Sequence, residues 1–93
     1  MTTYIAILRK EPDSDFGVMF PDFPGCITVG ETLQQAHERA VEALAFHIEG
    51  MREDGEPIPD PSALDAVLGD PEHRGGVPLL VQYAAAPRER KAS

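Results

Sequence analysis

Ninety-three residues carry sixteen Asp and Glu against eight Lys and Arg, a net charge of −8, with 42% hydrophobic and 26% charged residues. A chain this short closes a single core, which excludes multidomain enzyme architectures, and its composition is neither depleted enough for disorder nor repetitive enough for a fibre. One cysteine, Cys26, excludes an intramolecular disulfide and a Cys–His zinc cage, and the chain reads as cytoplasmic.

The N-terminal apolar run is short and precedes its basic residues, the reverse of a secretory signal, and no stretch approaches the roughly 18 apolar residues of a membrane span. The negative balance repels phosphate backbones and anionic lipid, so a charged partner is expected to be basic.

Thr3–Leu8 is β-branched and apolar on both faces and predicts a strand. A polar turn over residues 11–15 follows, and Phe16, Val18 and Phe20 recur with period two as a second, hairpinned strand. Pro21, Asp22, Phe23, Pro24 and Gly25 form a rigid connector, and Cys26–Gly30 resumes as a third strand. Thr32 and Gln35 form a capping box, from which Leu33 opens a helix whose apolar positions 33, 36, 40, 41, 44, 48 and 51 share one face as far as about Arg52. Gly55 ends it with a left-handed cap, and Pro57, Pro59 and Pro61 make the following segment a semi-rigid arm. Ser62 is expected to cap a short helical turn over Ala63–Leu68, Pro71–Gly76 reads as a loop, and Val77–Ala84 as a fourth strand. Residues 1–86 are thus one domain, and 87–93 a charged tail expected to be disordered in isolation.

These elements predict an α+β fold of order β-β-β-α-(short α)-β. Three hairpin-linked strands and a helical crossover returning the fourth parallel to the first give a mixed four-stranded sheet of order 3-2-1-4, with the long helix on one face. The other face has no second layer in the sequence, and the apolar character of both sides of the first strand assigns it to a partner chain; a homodimer or larger homo-oligomer is expected.

Catalytic chemistry finds little support. A two-metal nuclease site needs opposed carboxylates on adjacent strands, whereas Thr3–Leu8 and Val77–Ala84 contain none. Cys26 reads as packing rather than as a nucleophile. His37 and His47 lie about 80° apart around the helix, without the i, i+4 spacing that lets two imidazoles share a metal, and His47 falls on the core side. No phosphate-binding glycine loop or nucleophile elbow is present. No cofactor, metal or catalytic residue is expected.

The outer face of the helix is more informative. Glu38, Glu42, Glu49 and Glu53 project within roughly 60° of one another, opposite the apolar stripe. The plainer reading is a solvated face; Phe46 shifts it, falling about 140° from the core centre, half exposed unless the proline arm or another chain covers it. An aromatic anchor beside carboxylates is the composition of a surface that meets a basic, partly apolar partner. Residues 1–87 carry net −10 and residues 88–93, through Arg88, Arg90 and Lys91, return +2.

Taken in order, the strand Tyr4–Leu8, the segment Phe16-Gly-Val-Met-Phe-Pro-Asp-Phe-Pro-Gly-Cys-Ile-Thr, the opening Gly30-Glu-Thr-Leu-Gln-Gln-Ala and the closing Asp54-Gly-Glu-Pro-Ile-Pro-Asp-Pro-Ser resemble the HicB antitoxin family over about residues 3–84. The resemblance implies a partly degraded RNase H-like domain in which Phe20, Pro21, Asp22, Pro24, Gly25, Thr32, Gly55, Pro57 and Pro59 are structural. It also implies a HicA-type partner, a small basic mRNA-cleaving toxin whose active surface is covered; Glu38, Glu42, Phe46, Glu49 and Glu53, read from the helical period and not from the resemblance, are the candidate contacts on this chain. Many members of that family append a C-terminal DNA-binding module; only about nine residues follow Ala84 here, against the roughly 40 such a module needs, so no direct DNA binding is expected of this chain. Two other readings stand beside this one: an orphan homo-oligomeric adaptor without a toxin, and a residual metal-dependent ribonuclease.

Overall fold

A computed structural model describes residues 2–84. Its elements are β1 (Thr2–Lys10), β2 (Phe16–Met19), β3 (Ile27–Gly30), α1 (Leu33–Glu53), α2 (Leu64–Gly69), a 3₁₀ turn over Pro71–His73, and β4 (Val77–Tyr83). The β2 strand stops one residue before Phe20 and β3 starts one after Cys26. Phe20 N–H instead donates to Cys26 O (3.2 Å) and Cys26 N–H to Phe23 O (2.9 Å), which knots the Phe-Pro-Gly connector.

The strand order is 3-2-1-4, as the sequence predicts, but every pairing is antiparallel, β1 with β4 included (Leu8 opposite Val77, Thr2 opposite Tyr83). The expected mixed sheet, with β4 parallel to β1, is therefore wrong. A parallel return would begin β4 directly below the end of α1. Instead residues 54–76 carry the chain back along the opposite face of the sheet, where Val67 of α2 packs on Ile5 and Ile7, and Glu72 O accepts from the Arg9 guanidinium near the far end of β1. The chain thus enters β4 at the end where β1 finishes. That route also half-covers the face expected to lack a second layer: Ile5 and Ile7 are buried, while Met19, Ile27, Val29 and Leu80 stay exposed.

The main core lies under α1. Ala36, Ala40, Leu44 and Ile48, one helical stripe, bury against Tyr4, Ala6, Leu8, Val18, Phe20, Phe23, Val81 and Tyr83. Thr32 caps α1, its Oγ1 accepting from Gln35 N (3.0 Å) while Gln35 Oε1 accepts from Glu31 N (2.7 Å), so the glutamine reaches back one residue beyond the cap. At the other end Glu56 N donates to Met51 O (2.9 Å) and Gly55 N to Arg52 O (3.1 Å), the paired bonds of a glycine-terminated helix, with Gly55 at φ +75°. Gly30 is glycine for a different reason: a Cβ there would stand 2.4 Å from Ala36 N, where the end of β3 meets the first turn of α1.

Ser62 does not cap α2, which begins after Ala63 without a side-chain cap. Both its backbone N–H (2.9 Å) and its hydroxyl (2.5 Å) donate to the Asp22 carboxylate, and Tyr4 Oη donates to Pro59 O (2.6 Å). The proline arm is therefore pinned at two points, to β1 at Pro59 and to the β2–β3 connector at Ser62, with Ile58 against the core just before them. Residues 71–76, expected as loop, contain a 3₁₀ turn capped by Asp70, and the turn buries His73, whose Nδ1 donates to Val67 O (2.5 Å). The charged tail over residues 87–93 lies outside the described residues.

Candidate partner-binding surface

The periodicity of α1 divides its exposed surface into three strips. Buried positions 36, 40, 44 and 48 define the inner face. At about 100° per residue, Glu38, Glu42, Glu49 and Glu53 lie opposite, His37, Val41 and Ala45 fall on the flank toward β4, and Arg39, Phe46 and Gly50 on the flank toward β3. Arg39 Nη1 donates to Val29 O (3.3 Å) on the free edge of β3, which fixes that flank.

Glu38, Glu42 and Glu53 are exposed and Glu49 is partly so. Glu38 Oε2 accepts from Gln34 Nε2 (3.2 Å), which aims that carboxylate along the helix. Phe46 is 84% exposed, more than expected, because the arm that might have covered it is held away on Tyr4 and Asp22. Its ring stands as a ridge between two shallow grooves. One is bounded by Thr28, Arg39, Glu42 and Ala43; the other by Pro24, His47, Gly50, Met51, Asp54 and Glu56.

All five candidate residues thus sit on one exposed helix surface, and the fold adds Pro24, Asp54 and Glu56 to the neighbourhood of Phe46. These three escape sequence reasoning because they come from the β2–β3 connector and the segment just after α1, outside the helical period and brought together only by the fold. The signal that was available is the acidic pair flanking the Gly55 cap.

The motif residues occupy structural positions. Phe20 and Phe23 are each 1% exposed, Gly25 takes φ +89°, and Asp22 and Pro59 anchor the arm. His47 packs edge-on against Phe23 with ring centroids 5.6 Å apart, and the Cys26 Sγ lies 3.7 Å from Ala43 O; burial pushes that thiol above its ordinary value. Tyr4 is raised too, first by burial and then by the carboxylates of Asp22 and Asp60. Among the described residues no group of three His, Cys, Asp or Glu side chains could hold a metal ion, and no helix is long and apolar enough to cross a membrane.

A family model described as a HicB-like antitoxin of bacterial toxin–antitoxin systems matches residues 4–93. Antitoxin HicB of Escherichia coli K12 is 37% identical over 78 residues, 84% of this chain and 54% of that protein. An uncharacterized 14.9 kDa protein of Haemophilus phage HP1 is 41% identical over 75 residues, 81% of this chain and 56% of its own length. The chain therefore spans about half the length of the curated relatives it matches. Among solved structures, the N-terminal domain of Burkholderia pseudomallei antitoxin HicB superposes with a TM-score of 0.75 at 30% identity, over 89% of this chain and 99% of that one. A chain of a HicA3–HicB3 toxin–antitoxin complex superposes with a TM-score of 0.74, also at 30% identity and the same coverage.

Proposed function

The chain belongs to the HicB-like antitoxin family of bacterial toxin–antitoxin systems, and on that premise we propose that it neutralises a small basic HicA-type mRNA-cleaving toxin by covering the toxin's active surface. The reading is non-enzymatic: an antitoxin of this kind acts by occupying a surface, in a cytoplasmic setting, on a domain descended from an RNase H-like nuclease fold.

The observation that carries the proposal is Phe46, 84% exposed between Glu42 on one side and Asp54 and Glu56 on the other. Carboxylates steer a cationic partner toward α1, and an aromatic ring that loses its water on contact sets how long the partner stays. The described residues are given no DNA contact, since the exposed helix face is acidic and would repel phosphates.

The test is a set of association kinetics with the cognate toxin at low salt. Replacing Glu38, Glu42, Glu49 and Glu53 together by Gln is expected to slow association by roughly tenfold or more, and added salt to slow the parent chain likewise. Unchanged association would move the toxin to another face. A second reading, a self-associating adaptor without a toxin, is favoured by the exposed apolar side chains left on the sheet, Met19, Ile27, Val29 and Leu80.

A further inference from the structure

We infer that two copies of this chain join along the free edges of β4, making their sheets continuous and setting the β4-side flanks of their α1 helices against each other. The inference rests on the self-association part of the second reading above; of the side chains named there it uses Leu80 and leaves Met19, Ile27 and Val29 uncovered, and it holds whether or not a toxin is bound.

The geometry begins at Leu80. His37 Nε2 approaches Leu80 O at 3.4 Å from the side away from β1, so the backbone groups of Leu80 point out of the sheet, and by strand alternation those of Gln82 and Pro78 do as well. Pro78 lacks an N–H and is tolerated in β4 because the missing donor falls on the open edge. The free donors and acceptors are therefore concentrated at Leu80 and Gln82. A two-fold axis through Val81 places each copy's Leu80 opposite the other copy's Gln82, which joins the copies through roughly four backbone hydrogen bonds and wastes none on Pro78. The single long contact from His37 is what an incoming strand displaces.

The side chains around this edge suit a second copy. A groove of about 470 Å³ runs between α1 and β4, lined by Thr3, His37, Val41, Ala45, Leu80 and Gln82 among others, without a carboxylate. On a chain of net charge −8, one other groove shares this, the shallow one over Ile7, Arg9, Gly17, Val18, Met19 and Ile27 on the open sheet face. The grooves beside Phe46 are bounded by Glu42, Asp54 and Glu56, and the one beneath the Phe-Pro-Gly connector by Asp70 and Glu72. Two equally acidic copies repel across such surfaces, and the groove along β4 combines freedom from carboxylates with an open strand edge seven residues long, so they can approach there. Leu80, 61% exposed, and Val41, 37% exposed, lie on its two sides and become covered by the partner copy. The other edge is less suited: β3 has only four residues, the Arg39 guanidinium already occupies Val29 O, and the acidic strip lies beside it. Pairing through β4 leaves Phe46 and the acidic strip open on the far flank of each copy.

The experiment is sedimentation equilibrium of the full chain over a range of concentrations and salt. The parent is expected at twice its 10.1 kDa mass, with dissociation weakening as salt screens the repulsion between copies, the opposite of the salt effect on a basic toxin. Val41→Lys and Gln82→Pro each alter the edge at an exposed position and are expected to raise the dissociation constant roughly tenfold or more, while Ile27→Lys on the open sheet face and Phe46→Lys leave it unchanged. Far-ultraviolet circular dichroism reports whether each variant is folded, and either edge variant suffices if the other is not. A parent that is monomeric throughout overturns self-association and this surface together. A dimer that survives both folded edge variants, or that Ile27→Lys dissociates, overturns the β4 edge alone.

Discussion

Phe46→Ala separates stability from binding more sharply than any other single change. A phenylalanine offers about 200 Å² of side-chain surface; at 84% exposure roughly 170 Å² of it remains in water in the free chain. At about 25 cal/mol per Å², covering that area would contribute roughly 4 kcal/mol, and because alanine keeps the β-carbon the truncation is expected to cost about 3 kcal/mol of toxin affinity, on the order of a hundredfold in Kd. In the free chain the same ring touches little, so the free energy of unfolding in urea is expected to change by no more than about 0.5 kcal/mol. Titration calorimetry against the toxin, paired with urea unfolding of the free variant, reads both quantities. Affinity within about threefold of the parent would refute the assignment of Phe46 as the anchor, and a large loss of stability would show that the ring is packed after all.

Other substitutions test the scaffold that presents this surface. Asp22→Ala removes both acceptors of Ser62 and is expected to destabilise the fold by about 3 kcal/mol, against about 1.5 kcal/mol for Ser62→Ala, which keeps the backbone bond; thermal melts of the two variants compare them. Gly30→Ala, whose methyl would meet Ala36 N at 2.4 Å, is expected to cost more than about 3 kcal/mol in urea unfolding, whereas Gly50→Ala, with open space around it in the exposed part of α1, is expected to stabilise by roughly 0.5–1 kcal/mol. Burial raises Cys26 above its ordinary value of 9.0 and Tyr4 above 10.0, so the unfolded chain releases these protons before the folded one does. Their contribution is fully present below about pH 9 and is lost as pH rises beyond it; urea midpoints measured from pH 7 to 11 should fall later in Cys26→Ala, and parallel curves would contradict this.

Much of the domain was legible in single residues. Thr32 and Gln35 announced the start of α1, Gly55 its end, and the 3.6-residue spacing from Ala36 to Ile48 its inner face, because caps and helical periods act over a few residues and leave local marks. The same period places the acidic strip and Phe46 on one outer surface. The β3-β2-β1 order followed as well, since short hairpins leave few alternatives, and β4 does lie beside β1, though it gets there by an antiparallel return and not by the parallel crossover expected.

What tertiary structure alone decided is how distant segments meet. The direction of β4 depends on where residues 54–76 travel, and that route is set by contacts no local pattern encodes: Ser62 with Asp22 forty positions away, Tyr4 with Pro59, Val67 with Ile5 and Ile7. Ser62 illustrates the limit. Beside a short helix its hydroxyl has the chemistry of a cap, and only the approach of Asp22 across the fold gives it a stronger, charged acceptor. The exposure of Phe46 has the same origin, for the arm that could have shielded it is drawn to the sheet by those distant bonds. Sequence specifies which groups can pair; the path of the chain through space selects which of them do.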